Sequence, residues 1–300
     1  MREHSQIRVR RAFRRLLFGI VATAEGLPGL GSVTASPGLQ DKYLAVAADD
    51  TAARAGLAGA APGADGLFTR FALDLAAQRP GRAVAVLQAG CTTAGPELDL
   101  DLLRAFGHDL DVSLIDDETA ASRAAVAVRP ELGAAKLGEL RLLPLRPRSY
   151  DIVQCSLLLH RVRNADMVLG RLAAAVRPGG LLLLRMADPG SAFGFLDRRL
   201  PRLIRTIAWR RLRTGQPGPY PACYEPVASA RGIEAFMSRH GLSIAHRGIA
   251  SSARSLSRPA AARVAGQLLT VLSRGRLAAD HDELCYVIRR PEDRFARVLP

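Results

Sequence analysis

Between residues 82 and 186, short apolar runs alternate with amphipathic stretches of about ten residues. Residues 83–87 form a Val-rich run that ends in Gly90-Cys91-Thr92-Thr93-Ala94-Gly95 ahead of a helix. A second run, 112–115, ends in Asp116-Asp117-Glu118; a helix is expected over 119–128, stopped by Pro130. Weak strand character returns at 135–137 and a clearer strand at 150–154. The next helix, 165–176, is closed by Arg177-Pro178-Gly179-Gly180, and 181–186 is apolar on both faces, as a central parallel strand requires. Strands separated by helices of this length are βαβ units and predict a doubly wound α/β sheet.

The flanks are less regular. Residues 1–40 read as a basic arm ending in a turn-rich stretch, and 42–60 and 67–78 read as helices. After the parallel core come a helix over 201–213, a Pro/Tyr loop at 215–226 and a helix over 229–240 stopped by Gly241. A strand at 242–247, a helix at 259–273 and a last strand at 283–290 complete the chain. This divides it into an arm, 1–40, and one domain, 41–300, with a helical insert at 187–226 and a helical segment at 248–282.

Charge modifies this picture only locally. Lys+Arg number 42 against 28 Asp+Glu, a net +14, and only Lys42 and Lys136 are lysines. An Ala/Arg/Gly/Pro-rich, lysine-poor composition also follows from a GC-rich coding sequence, so the excess is weak evidence for nucleic acid. The first fifteen residues contribute +5 of that charge, and 185–218 a further +6. Basic amphipathic helices there suit a lid or a membrane surface. No apolar segment approaches the ~18 residues of a membrane span. The start of the chain has a charged stretch, a short apolar run and Ala22-Thr23-Ala24, which resemble a signal peptide; a glycine interrupts the run, and a basic amphipathic helix is the expectation. Cys91, Cys155, Cys223 and Cys285 are isolated, with neither CxxC nor zinc spacing, so no metal is expected and a reducing cytoplasm suits them.

Chemistry concentrates at strand ends. A Gly-containing loop after one strand and an acid after the next is the logic of nucleoside binding, and Gly95 to Asp116 spans 21 residues. The stretch Gly138-Glu-Leu-Arg-Leu-Leu-Pro-Leu-Arg-Pro-Arg-Ser-Tyr-Asp-Ile-Val153 is followed by Leu157-Leu-Leu-His-Arg-Val162 and Leu172-Ala-Ala-Ala-Val-Arg-Pro-Gly-Gly-Leu-Leu-Leu-Leu184. Together they resemble the class I S-adenosylmethionine (SAM)-dependent methyltransferases, nearest the type-11 small-molecule branch. The resemblance implies a mostly parallel, seven-stranded Rossmann-like sheet with helices on both faces and an antiparallel last strand. It implies SAM as cofactor, with Gly90 admitting the methionine moiety, Asp116 on the ribose hydroxyls, and Glu139 with Leu140 beside adenine. By the same resemblance, Cys155 and Ser156 follow the fourth strand where such enzymes border the transferred methyl.

The first loop departs from the family's acid and Gly-x-Gly-x-Gly, having Gln88 and Thr92 instead. A β-branched Thr92 disfavours positive φ, and Gln88 carries no charge. His160 stands in the family's Leu-His-His turn with Arg161 replacing the second histidine; it is either an acceptor base or a turn residue bonding backbone. His240, His246 and His281 have no partner visible in sequence, and Asp151 belongs to the fourth strand.

The resulting expectation is an O-methyltransferase acting on a small-molecule, glycan or natural-product hydroxyl. Neither the Asn/Asp-Pro-Pro-Tyr/Phe motif of amine methylation nor the Pro-Cys or Thr-Cys of cytosine-C5 chemistry follows the fourth strand. Two alternatives remain at this point: a catalytically silent methyltransferase-like partner domain, and an RNA methyltransferase, although no added nucleic-acid-binding module is recognisable.

Overall fold

The computed structural model describes residues 64–90, 98–129, 132–199, 201, 222–250, 266–268, 270–273, 277–279 and 281–292. The arm at 1–40, the helices expected at 42–60 and 201–213, and Thr92 lie outside these residues.

The first described helix, α1 (Ala64–Ala77), buries Phe68, Ala72, Leu75 and Ala76, a spacing of three to four residues that makes one stripe. Strand β1 (Val84–Ala89) follows, then α2 (Leu100–Ala105), capped by Asp99, whose carboxylate accepts the Leu102 N–H at 2.9 Å. Strand β2 (Leu110–Asp116) leads to α3 (Ala120–Ala127), where Thr119 and Ser122 exchange reciprocal capping bonds. Next come β3 (Ala134–Leu137), β4 (Tyr150–Ser156), α4 (Ala165–Ala175) and β5 (Val176–Ala187). Helices α5 (Ala192–Arg199) and α6 (Ala230–Arg239) precede the hairpin of β6 (Ser243–Ala250) and β7 (Glu283–Arg289). Helix α5, inside the expected insert, has no counterpart in the sequence reading. Among the described residues no helix is long and apolar enough to cross a membrane.

The seven strands lie in the order β3-β2-β1-β4-β5-β7-β6. β1 pairs in parallel with both β2 and β4, β4 with β5, and β2 with β3; β7 runs antiparallel to its neighbours β5 and β6. Sheet alternation sends Leu182, Leu184 and Met186 of β5 to one face, where Leu169 and Leu172 of α4 and Ile233 and Phe236 of α6 cover them. Leu181 and Leu183 face α1 together with Val86, Ile152 and Val287. Both faces are buried, which is why this strand reads as uninterrupted apolar sequence.

The Arg177-Pro178-Gly179-Gly180 run does not simply close α4, as the sequence suggested. The helix ends at Ala175, and the run belongs to β5 as an irregularity: Tyr150 pairs with Val176, but Ile152 pairs with Leu181. Gly180 permits this, since a Cβ there would lie 2.7 Å from the Asp151 carbonyl oxygen.

Under that irregularity Asp151, 1% exposed, receives Arg79, Arg177 at 2.5 Å and the Ala85 N–H at 3.0 Å. Burial, then the adjoining guanidiniums of Arg82 and Arg177, lower the pKa of Arg79. The acid therefore ties α1, β1, β4 and β5 together at the amino end of the sheet, consistent with its assignment to the fold rather than to chemistry.

Candidate functional site

The strand order reverses at β1, so the crevice beyond the carboxyl ends of β1, β2 and β4 is where an open α/β sheet offers a ligand site. Gly90 stands there, one residue past β1, with φ +91. Its backbone N–H donates to the Ile115 carbonyl at 3.0 Å. A Cβ would meet the Ser156 carbonyl oxygen at 3.0 Å and the Arg161 guanidinium at 3.4 Å, so glycine is demanded by both conformation and space.

Asp116 is the last residue of β2 and is 2% exposed. Its carboxylate accepts the Asp117 N–H at 2.8 Å and faces the Arg161 guanidinium at 3.6 Å, both side chains being almost wholly buried. In sequence Arg161 stands only as a replacement for a histidine; the tertiary structure places it between Gly90 and Asp116. The substitution in the Leu-His-His turn was the available signal.

Asp117 lies just beyond β2. Partial burial first, and the neighbouring Asp116 second, raise its carboxyl pKa, opposed by the Leu140 N–H and by Arg161. The folded protein thus binds this proton more readily than the unfolded chain, so the contribution to stability falls as pH rises from the ordinary 3.8 towards the raised value. Asp117→Asn is expected to leave stability unchanged at the acid end of that window and to raise it at neutral pH, as urea melts across the range will show.

Gln88 does not stand free. Its Nε2 donates to Gln154 Oε1 at 3.3 Å, the Arg129 guanidinium donates to its Oε1 at 3.3 Å, and Gln154 Nε2 donates to Ser156 Oγ at 3.1 Å. Leu140 is buried beside Asp117, whereas Glu139 pairs with Arg141 and remains 44% exposed. Cys155 has no exposed surface and is packed into the core with Ala89 and Leu184.

The turn after β4 is fixed by a remote loop. The Cys223 and Tyr224 N–H groups donate to the His160 carbonyl at 2.9 and 3.0 Å. The His160 and Tyr224 rings lie 5.5 Å apart, and the Tyr224 hydroxyl donates to Asp197 Oδ2 of α5 at 3.0 Å. Glu225 then caps α4, accepting the Asn164 and Ala165 N–H groups at 2.6 and 2.7 Å, because Asn164 itself makes no side-chain cap. Glu225→Ala should cost about 1 kcal/mol, the usual worth of a lost cap, and accelerate amide exchange in the first turn of α4.

His281 also acquires a partner that sequence could not reveal: its Nε2 lies 3.1 Å from Asp188 Oδ2, just past β5. Among the described residues no group of three or more His, Cys, Asp or Glu is arranged to hold a metal.

A parallel β3-β2-β1-β4-β5 block completed by a β7-β6 pair, with a glycine bend after β1 and a buried acid ending β2, is the architecture of the class I methyltransferases. Residues 87–184 match the family model described as a methyltransferase domain. A search of curated proteins finds no match. Among solved structures the chain is similar to a SAM-dependent methyltransferase from Mesorhizobium loti, at 20% identity and TM-score 0.43, covering 76% of this chain and 100% of that one. It is also similar to a putative sarcosine dimethylglycine methyltransferase from Galdieria sulphuraria, at 12% identity and TM-score 0.46, covering 76% and 84%. The [4+2]-cyclase SpnF is a third, at 17% identity and TM-score 0.44, covering 74% and 81%.

Proposed function

We propose that this methyltransferase passes the SAM methyl group to a hydroxyl oxygen of a small-molecule, glycan or natural-product acceptor. The observation that carries the reading is the convergence of Gly90, Asp116 and the His160–Tyr224–Asp197 cluster at the carboxyl edge of the sheet. Its residues fit a nucleoside: a bend with no room for a side chain, and a buried carboxylate suited to accept from two ribose hydroxyls.

SAM, when bound, supplies an already activated methyl group. The chain's contribution is alignment and exclusion of water. Gly90 admits the methionine moiety, Asp116 holds the ribose, and Glu139 with Leu140 borders the adenine. In this reading Gln88 belongs to the methionine end of the site and Cys155 supports its floor from within the core. His160 takes the proton from the acceptor hydroxyl, with the Tyr224–Asp197 bond holding the facing ring in place. The acceptor is read by the insert at 187–226, which carries both Asp197 and Tyr224.

Isothermal titration with SAM, followed by transfer of labelled methyl to a panel of hydroxyl, amine and carbon acceptors, tests the assignment. Expected are saturable SAM binding, an intermediate loss of affinity in Glu139→Ala, and label on oxygen. Label confined to nitrogen or carbon acceptors would refute the hydroxyl. The silent-domain reading is favoured by the guanidinium already against Asp116, and absence of SAM binding by the wild type would select it.

A further inference from the structure

The helix expected at 259–273 is described at residues 266–268 and 270–272, and its faces are the reverse of an ordinary surface helix. The inward side is small and polar. Gly266 is buried, and a Cβ there would lie 3.1 Å from Cζ of Phe193 on α5. Thr270 and Ser273 donate their hydroxyls back to the Gly266 and Thr270 carbonyls at 3.1 and 2.9 Å. Just beyond, the Ala278 carbonyl accepts the Ala192 N–H, at the start of α5, at 2.6 Å and ties the two segments together. At about 100° per residue, Leu268, Val271 and Leu272 fall on the side opposite Gly266 and Thr270. They are 41%, 74% and 68% exposed. Among the described residues, the other exposed large apolar side chains stand at least five positions from one another along the chain.

Three aliphatic side chains so placed present one apolar stripe to solvent, the mark of an interaction surface. Charge identifies the partner. Residues 248–279 contain five arginines and no Asp or Glu. Arg198 and Arg199 end α5 exposed, the Arg199 guanidinium 5.8 Å from the centroid of the Phe195 ring. A second copy of the chain, itself at +14, is repelled. RNA answers the arginines but has no aliphatic layer to receive the stripe. An anionic bilayer has both, phosphates for the guanidiniums and acyl carbon beneath them. We propose that Leu268, Val271 and Leu272, with Arg198 and Arg199 of α5, seat this protein on the surface of an anionic lipid bilayer. The chain lies on the membrane rather than through it, since no described helix is long and apolar enough to cross. The seat is independent of the methyl acceptor and of nucleoside binding.

Co-sedimentation of the full chain with vesicles tests it. Binding to mixed phosphatidylglycerol and phosphatidylcholine should exceed binding to phosphatidylcholine alone by at least about tenfold, since each guanidinium near an anionic surface is worth roughly fivefold. Val271→Ser/Leu272→Ser should lose about tenfold or more on the mixed vesicles, because two aliphatic side chains no longer reach the acyl boundary. Both positions are exposed, so the melting temperature should not change, which separates lost docking from a lost fold. Arg198→Gln/Arg199→Gln should weaken binding by roughly tenfold and flatten its dependence on salt. Failure of the wild type to bind mixed vesicles, whether or not it binds RNA, would overturn the proposal. So would binding unaltered in Val271→Ser/Leu272→Ser, which would assign the lipid contact to another basic segment. A wild-type dimer that this double substitution dissociates in sedimentation equilibrium would give the stripe to a second copy and overturn it too.

Discussion

Asp116→Ala should lose about 3–5 kcal/mol of folding stability and at least tenfold in SAM affinity, the largest combined effect expected of any single change in this protein. The stability loss arises because removal of one partner strands the Arg161 guanidinium in a region where its side chain is 4% exposed. A stranded buried charge is far costlier than a missing pair. The double variant Asp116→Ala/Arg161→Leu should therefore recover most of the stability without recovering SAM binding, if Asp116 holds the ribose as proposed above. A double-mutant cycle measured by urea denaturation and by titration separates these two consequences of the same carboxylate. Additive stability losses in the cycle would show that the two side chains do not act as a pair. Asp117→Ala, outside the strand, should weaken SAM binding much less.

Asp151→Ala should be the second severe change, and it should act on stability alone. It removes the acceptor for Arg79, Arg177 and the buried Ala85 N–H. The two arginines keep 22% and 27% of their side-chain surface and can recover some hydration, so the cost falls near the lower end for a broken buried charge cluster, about 3 kcal/mol. For a domain of this size that corresponds to a fall of roughly 6–12 °C in melting temperature. The site lies at the opposite ends of the strands, so SAM affinity measured well below the transition should stay within about twofold of wild type. A large loss of affinity with unchanged melting temperature would contradict a purely structural role.

Both carboxylates illustrate how differently a given residue type is employed at the two ends of the sheet. At the amino end, Asp151 accepts from donors in three other segments and holds the layers in register. At the carboxyl end, Asp116 faces a cation across 3.6 Å, with the glycine bend on the other side of that cation. The strand polarity of a doubly wound sheet decides which acid is available to a ligand.

The parallel core was legible from sequence because its signals are local. Apolar runs too short for helices, amphipathic stretches of ten residues and the acid after the second run located β1, β2, β4, α4 and β5 to within a few residues. The motif stretch from Gly138 to Leu184 indicated the family, the seven strands and the antiparallel β7. Gly90 has a φ of +91, and a Cβ there would lie 3.0 Å from the Ser156 carbonyl oxygen. What only the tertiary structure decided are contacts between residues distant along the chain. Arg161 meets Asp116 because the turn after β4 folds back over the end of β2, two strands away in the sheet order. Glu225 caps a helix that begins at Ala165, and His281 finds Asp188 across the β5–β7 junction. No periodicity encodes such pairs; they follow from strand order and from where each loop returns. Even the Arg177–Gly180 run changes meaning this way, since its turn-forming residues become a strand irregularity once β4 lies alongside. Sequence determined the sheet and the places where its strands end, while packing decided which charges face one another there.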